Sequence, residues 1–265
     1  MSVIFQAGYA LPGGSQPLRN ARIAHSLNWL AGGTVVASTT AAGYFDVAPA
    51  NSLTYERWKP SAIPATWEYN HGSASNVDYA CIAGHTLTGC TIRIERWNGA
   101  AWVALSPDTL VTDNGPLWFF FVTLSTQRLR VNILSGTAPE ISVIRFGLAL
   151  QMEQPIFGGH TPIDLSRQTI LRSNRSETGE FLGRTKQRTL LATSFDWTHM
   201  TTAWVEANWP TMQKAVESEP FFIVWRPSDR QHVGYCQTDR VPVPQNMGVR
   251  DFMSVELQVR GLAYD

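Results

Sequence analysis

Short runs in which apolar and polar residues alternate, or in which apolar residues follow one another, recur along most of the chain. Gly, Pro, Asn and Asp separate them and helical spacing is scarce, a pattern that predicts an all-β fold. The clearest case is TIRIERW, Thr91–Trp97: Ile92 and Ile94 fall on one face, Arg93 and Glu95 on the other. Asn98-Gly99 follows, a pair suited to the two positive-φ positions of a type I′ turn, and AAWVAL returns, so a tight hairpin is predicted. Further strands are predicted over residues 78–83, 117–123, 128–134 and 141–150, bounded by turn formers such as TDNGP (112–116) and SGTAPE (135–140).

The pattern changes at QMEQPIFGGHTPIDLSR (151–167), where two prolines and a Gly-Gly pair leave no period and predict a link between two domains. Beyond it RTKQRTLLATSFDW reads as a strand or hairpin arm. Residues 198–218 supply the one helical pattern: Thr198 or Thr201 caps it, and Met200, Trp204, Ala207, Ala215 and Val216 form a broken apolar stripe. Pro210 interrupts it, so either one kinked helix or two short pieces, the second starting at Pro210, fits. PFFIVW, HVGYCQTD and FMSVELQVRGL complete a β-rich unit, and the alternation of Val255, Leu257 and Val259 with Glu256, Gln258 and Arg260 predicts a last strand with one wet or partner-facing side. The division expected is an N-terminal segment (1–38) packing on the second domain, a β-sandwich (39–150), the linker (151–167), and a β-rich domain with one helix (168–265).

Composition narrows the function. Of 265 residues 44% are hydrophobic and only 16% charged, fewer charges than an average soluble surface carries, which points to surface covered by partners. The 21 basic and 21 acidic side chains cancel, so no global field attracts nucleic acid or an acidic membrane. No run approaches the roughly 18 apolar residues of a membrane span, and MSVIFQAGYALPGG lacks the basic start and apolar core of a secretory signal. The expectation is a protein made and kept in a cytosol. The odd set Cys81, Cys90 and Cys236 agrees, reading as reduced thiols and not as a disulfide framework.

Candidate chemistry is sparse. Cys81, His85 and Cys90 lie close in sequence, but Cys-x3-His-x4-Cys gives three ligands where a structural zinc site takes four. In an extended strand Cys81 shares a face with Val77, Tyr79 and Ala83, and Cys90 with Ile92 and Ile94, so both are expected as small core residues and His85 as a turn residue bonded to backbone. No nucleophile elbow, P-loop, dinucleotide fingerprint or H-E-x-x-H is present, so no catalytic residue, cofactor or metal site is assigned. A paired-carboxylate glycosidase leaves no local motif and stays open. LTYERWKPSAIPATWEY offers Trp58 and Trp67 either as sugar platforms or as core anchors. RSNRSETGEFLGRTKQR is the most basic stretch: Arg172, Arg175, Arg184, Lys186 and Arg188 against Glu177 and Glu180. It is expected as an exposed arm, turning at Ser176–Gly179, that docks on a neighbouring subunit.

Taken in order, LTYERWKPSAIPATWEYN, VDYACIAGHTL, TIRIERWNGAAWVAL, QRLRVNIL and ISVIRFGLAL resemble the elements of a galactose-binding-like sandwich of the discoidin, or coagulation factor type C, family. The flanking cysteines of its secreted members are absent. MEQPIFGGHTPIDLSRQT, RSETGEFLGR, WTHMTTAW and PFFIVWRP, in that order, resemble tail proteins of long-tailed phages, in which such a sandwich is joined to a β-rich domain with one helix. The resemblance implies a structural, non-catalytic distal tail or tail-tip protein of the virion, synthesised in the host cytoplasm. It implies a homo-oligomeric ring whose partners are further copies of itself and the tube, hub and receptor-binding proteins. The alternative it leaves open is a carbohydrate-binding module touching host surface glycans through the sandwich loops, with Tyr55, Arg57 and Trp58 as contacts.

Overall fold

The computed structural model describes residues 2–10, 18–25, 32–156, 158–248 and 251–264. Residues 11–17 and 26–31 of the expected N-terminal segment, and Phe157 of the expected linker, lie outside them. In chain order the strands are β1 (Val3–Phe5), β2 (Arg22–Ala24), β3 (Thr34–Ala37), β4 (Ala65–His85), β5 (Thr91–Trp97), β6 (Trp102–Ala104), β7 (Thr109–Leu110), β8 (Leu117–Ser135), β9 (Ile141–Gly147) and β10 (Leu150–Gln151). Then come β11 (Arg167–Arg175), β12 (Phe181–Thr201), helix α1 (Thr202–Ser218), β13 (Phe221–Val224), β14 (Val233–Gln237), β15 (Gln245–Asn246) and β16 (Phe252–Gly261). The protein is mainly β, a sandwich followed by a second β-rich sheet with one helix, in agreement with the sequence expectation.

Two long strands build the sandwich. β4 and β8 pair antiparallel from Ala65↔Ile133 to Ile82↔Leu117, with register shifts between Asn70 and Ser75 and between Val77 and Tyr79. β3 and β5 flank their first stretch as a front wall; β9 and β1 flank their second stretch as a back wall. The core lies between: Trp67, Tyr69, Ile92, Ile94 and Val131 from the front meet Ile82, Phe119, Phe121, Ile144 and Phe146 from the back. The predicted strands 117–123 and 128–134 are thus one strand, β8. Their polar interval continues the ladder beyond the core, Asn76 facing Ser125 and Ser75 facing Thr126. The irregularity after Val77 also flips the side-chain alternation. Val77 points into the sandwich, whereas Tyr79, Cys81 and Ala83 point out of its back wall, so the expected shared face of Val77 and Cys81 is corrected.

The hairpin after β5 is looser than predicted. Trp97 pairs with Trp102, leaving Asn98, Gly99, Ala100 and Ala101 as the connection. Gly99 has a positive φ (99°) and Asn98 does not; the Asn98 side-chain oxygen instead accepts from the amides of Ala100 and Ala101 at 2.9 and 2.8 Å. An Asx-type bond therefore replaces the type I′ turn.

The second sheet runs β10-β2-β13-β14-β16-β12-β11, with β15 beside β16. One face carries Ile23, Phe221, Ile223, Phe195, Leu257 and Val259, and α1 covers it with Val205, Trp209, Met212 and Val216, spaced to share one helical stripe. Thr201 caps α1, its hydroxyl accepting from the Trp204 amide at 3.3 Å. Helix α1 is continuous through Pro210, whose ring sits on the exposed side, so the two-piece alternative is not adopted; Ala207 of the expected stripe is exposed as well. The other face of the sheet, at β2, β13 and β14, sets Ala24, Phe222, Val224, Val233 and Tyr235 against the sandwich's back wall of Tyr79, Cys81, Trp118, Phe120 and Val143. Farther along, at β12 and β16, that same face turns polar: Ser194, Asp196, Glu256, Gln258 and Arg260. The N-terminal segment serves both sheets, since β1 and β3 join the sandwich and β2 joins the second sheet.

Candidate functional site

Two features stand out from this body: the connection between β3 and β4 at one end of the sandwich, and the ribbon made by β11 and the first half of β12. The β3–β4 connection is long but held. Buried Arg145 donates from Nη1 to the carbonyls of Ala50 and Asn51, both at 3.0 Å, and reaches Glu219 at 3.3 Å. The Tyr235 hydroxyl donates to the Ser52 carbonyl at 2.8 Å and the Ser142 hydroxyl to that of Thr54 at 3.0 Å. Tyr55, 75% exposed, is thereby presented on fixed backbone.

Next to it Glu140 gathers three donors: the Tyr44 hydroxyl at 2.7 Å, Arg57 at 2.7 Å and Lys59 at 3.4 Å. The Tyr44 hydrogen bond and then the two cations hold the Glu140 carboxyl at about 2, and the same contact raises the Tyr44 phenol. Phe45, also exposed, extends the aromatic surface. Glu140, Tyr44 and Phe45 were not singled out from sequence. Glu140 stands 83 positions from Arg57, inside a stretch read as a turn, and no local spacing signals such a pair.

Trp58 is corrected. Its side chain is 0% exposed, its indole N–H donates to the Thr39 carbonyl at 3.0 Å, and its backbone bridges to Ile141. A ring enclosed in the core offers no face to a sugar, so of Tyr55, Arg57 and Trp58 only the first two reach the surface. Trp67 is likewise buried, its indole bonded to the Asp46 carbonyl at 2.7 Å.

The ribbon carries Arg172, Arg175, Arg184, Lys186 and Arg188, and all five are exposed. Cross-strand partners share a face. Lys186 pairs with Leu171, Arg184 with Ser173 and Arg175 with Phe181, whereas Arg188 pairs with Ile170 and Arg172 with Thr185. Every residue of β11 is exposed, and β12 lies against β16 only from Leu191 onward, so residues 181–190 pair with β11 alone. At the strand rise this leaves a projection of about 30 Å. Its turn closes with Gly179 N donating to the Ser176 carbonyl and Ser176 N to that of Glu180, both at 2.9 Å. Sequence placed these residues on one arm, and they lie on one arm; Arg188, at its root, also lies in a groove with Tyr55.

The thiols and histidine of residues 81–90 make no reactive site. Cys81, Cys90 and Cys236 are free and buried, and burial pushes each thiol up, away from the thiolate. Nδ1 of His85 accepts from the Leu87 amide, so Nε2 carries the hydrogen given to the Gly115 carbonyl at 2.8 Å, and burial lowers the ring to about 4. Among the described residues no three His, Cys, Asp or Glu side chains gather in a way that could hold a metal ion, and no helix is long and apolar enough to cross a membrane.

No family model and no curated protein matches the chain. Solved structures similar to it include the family 32 carbohydrate-binding module of Clostridium perfringens NanJ in complex with galactose: 13% identity, TM-score 0.41, 48% of this chain and 98% of that one. Another is chitosan-binding module 1 from a chitosanase/glucanase of Paenibacillus sp. IK-5: 19% identity, TM-score 0.39, 45% and 97%. SpGH29 is matched at 16% identity and TM-score 0.41 over 48% of this chain, which spans 29% of that longer chain. Each match takes in less than half of this chain, and what those proteins bind is a property of those proteins.

Proposed function

We propose that the protein is a structural, non-catalytic subunit that assembles with copies of itself through the β11–β12 ribbon. The observation that supports this is the bare ribbon: two strands that leave the body with both faces in water and apolar residues along them, among them Leu171, Phe181 and Leu182. Two-stranded ribbons are marginal in water, and exposed strands of this kind serve as templates for another chain. The setting we propose is the tail tip of a long-tailed phage, as a ring between tube and tip or receptor-binding proteins; its support is the sequence resemblance alone. Sedimentation of the full chain over a range of concentrations tests the assembly. The expected result is a defined oligomer that becomes monomeric when residues 170–188 are replaced by a short turn, with the melting temperature kept. A wild-type chain that stays monomeric at high concentration sinks the proposal. Mixing with purified tail tubes and tip proteins tests the setting, where failure to join either would remove it.

A second reading is glycan binding at the β3–β4 connection, favoured by exposed Tyr55 and Phe45 beside Arg57 and the Glu140 carboxylate: flat rings next to charged hydrogen-bonding groups. Polysaccharide-array binding abolished by Tyr55→Ala in a folded protein would support it, and silence of the wild type against host polysaccharides would end it.

A further inference from the structure

The ribbon is not uniform in chemistry. Its shaft is basic, with Arg172 and Lys186, and its turn carries both of its acidic residues, Glu177 and Glu180, next to Phe181 and Leu182. Arg175 faces Phe181 across the strands and the Arg184 guanidinium lies 5.8 Å from that ring's centre, so two cations border the acidic turn. Those two apolar side chains are 61% and 66% exposed. At the other end of the ribbon, where β12 enters the body, a groove of about 560 Å³ opens between the β3–β4 connection and the second sheet. Leu53, Tyr55, Leu190 and Pro220 give it apolar walls, and Arg188 brings positive charge; Arg260, also in the wall, is paired with Asp239 at 2.7 Å. The Arg145, Ser142 and Tyr235 bonds that pin residues 50–54 preform its sandwich side.

From this complementarity we infer that the ribbon tip, residues 177–182, seats in this groove on a second copy of the chain. The inference rests on the self-assembly reading above. Apolar Phe181 and Leu182 meet apolar walls, and Glu177 and Glu180 approach Arg188, so burial and charge favour the same pairing. Arg172 and Lys186 of the shaft would be repelled by Arg188. A chain cannot fill its own groove, because Leu190 lies in the groove and Phe181 stands nine residues away along one extended strand, about 30 Å. Tip and groove are different surfaces, so the contact is head-to-tail, the kind that closes into a ring or runs on as a filament.

Cysteine cross-linking tests it in the full chain, where the three native thiols are buried. Leu53→Cys with Leu182→Cys in one chain is expected to give, on mild oxidation, a ladder of covalent multimers, while an equal mixture of the two single variants gives a covalent dimer. Either single variant alone is expected to stay monomeric on a denaturing gel, and a dimer of Leu182→Cys alone would mean tip-to-tip contact and overturn the inference. Independently, Glu180→Arg and Arg188→Glu should each weaken self-association by about tenfold or more, and mixing the two should restore it. An oligomer that depends on the ribbon yet gives no ladder and no restoration overturns the groove and leaves the assembly reading standing. A glycan held in the groove of such unlinked protein assigns the groove to the second reading. A wild-type monomer, or an oligomer that survives removal of residues 170–188, removes both the inference and its premise.

Discussion

The strand pair β4–β8 and the strand pair β11–β12 are both antiparallel and both broken by two register shifts, yet one has both its ends in the core and the other is exposed along most of its length. The difference is legible in which residues alternate. Leu117–Phe121 is apolar on both faces, and both are covered, one by the sandwich core and one by the second sheet. Residues 184–188, RTKQR, put polar groups on both faces, and both stay wet. Backbone hydrogen bonds are equally available to each pair, so they do not discriminate; the apolar area does. Under the self-assembly proposed above, the ribbon would find on another copy the burial that it lacks here.

The sharpest way to break this comparison is to cut an aromatic ring from each pair. Trp118→Ala should cost about 3–5 kcal/mol in denaturant unfolding, and Phe181→Ala no more than about 0.5 kcal/mol. Equal losses would mean that the ribbon is packed in the monomer.

A pH profile separates the regions next. Asp78, on β4, is pushed up to about 7 by burial, with the Ala149 amide and Arg22 pulling it only part of the way back. Its folded value exceeds its unfolded one, so the folded state holds the extra proton, and stability from this group is lost as pH rises from about 3.8 to about 7. Asp78→Asn should therefore raise stability at pH 8, by about 2 kcal/mol, and change little at pH 4. His85, lowered to about 4, works in the opposite direction, losing stability as pH falls from 6.5, so the readout is the difference between variant and wild type. A difference that does not vary with pH would show that Asp78 is ionised without penalty.

Smaller effects follow. Cys81→Ala and Cys90→Ala should each cost about 1 kcal/mol, the loss of a small buried side chain, with no metal in the purified protein; zinc at one equivalent would reinstate the ligand reading. Arg184→Ala, on the ribbon, should shift unfolding by less than about 0.5 kcal/mol. A larger shift would mean that its contacts with the Phe181 ring and Ser173 hold the ribbon together.

Much of this contrast could be read from the sequence, and what could not has common causes. The wet alternation of Val255–Arg260, the buried PFFIVW strand and the basic arm are local patterns, and each is found where local pattern puts it. Local pattern fails where geometry depends on distant partners. The parity flip after Val77 comes from pairing with β8, so Cys81 faces the second sheet and not the sandwich core. The polar interval between the predicted strands 117–123 and 128–134 breaks the apolar pattern although it is itself strand, running past the core. At the candidate glycan site Trp58 and Tyr55 have the same sequence credentials; only the fold sends one inward and the other out. Glu140, the residue that organises Arg57, Lys59 and Tyr44, lies 83 positions along the chain from Arg57, immediately before β9.

The back wall of the sandwich has a practical corollary. Tyr79, Cys81, Trp118, Phe120 and Val143 are covered by the second sheet together with Phe5 and Tyr9, and the strand at Val3–Phe5 completes the wall from the other end of the sequence. The sandwich is not a spare part that can be lifted out. A fragment trimmed to residues 39–150 would leave a band of oily side chains in water and lack two of its strands, so it should come out of the cell insoluble. The intact chain, for the same reason, should come apart in one step and not in two halves.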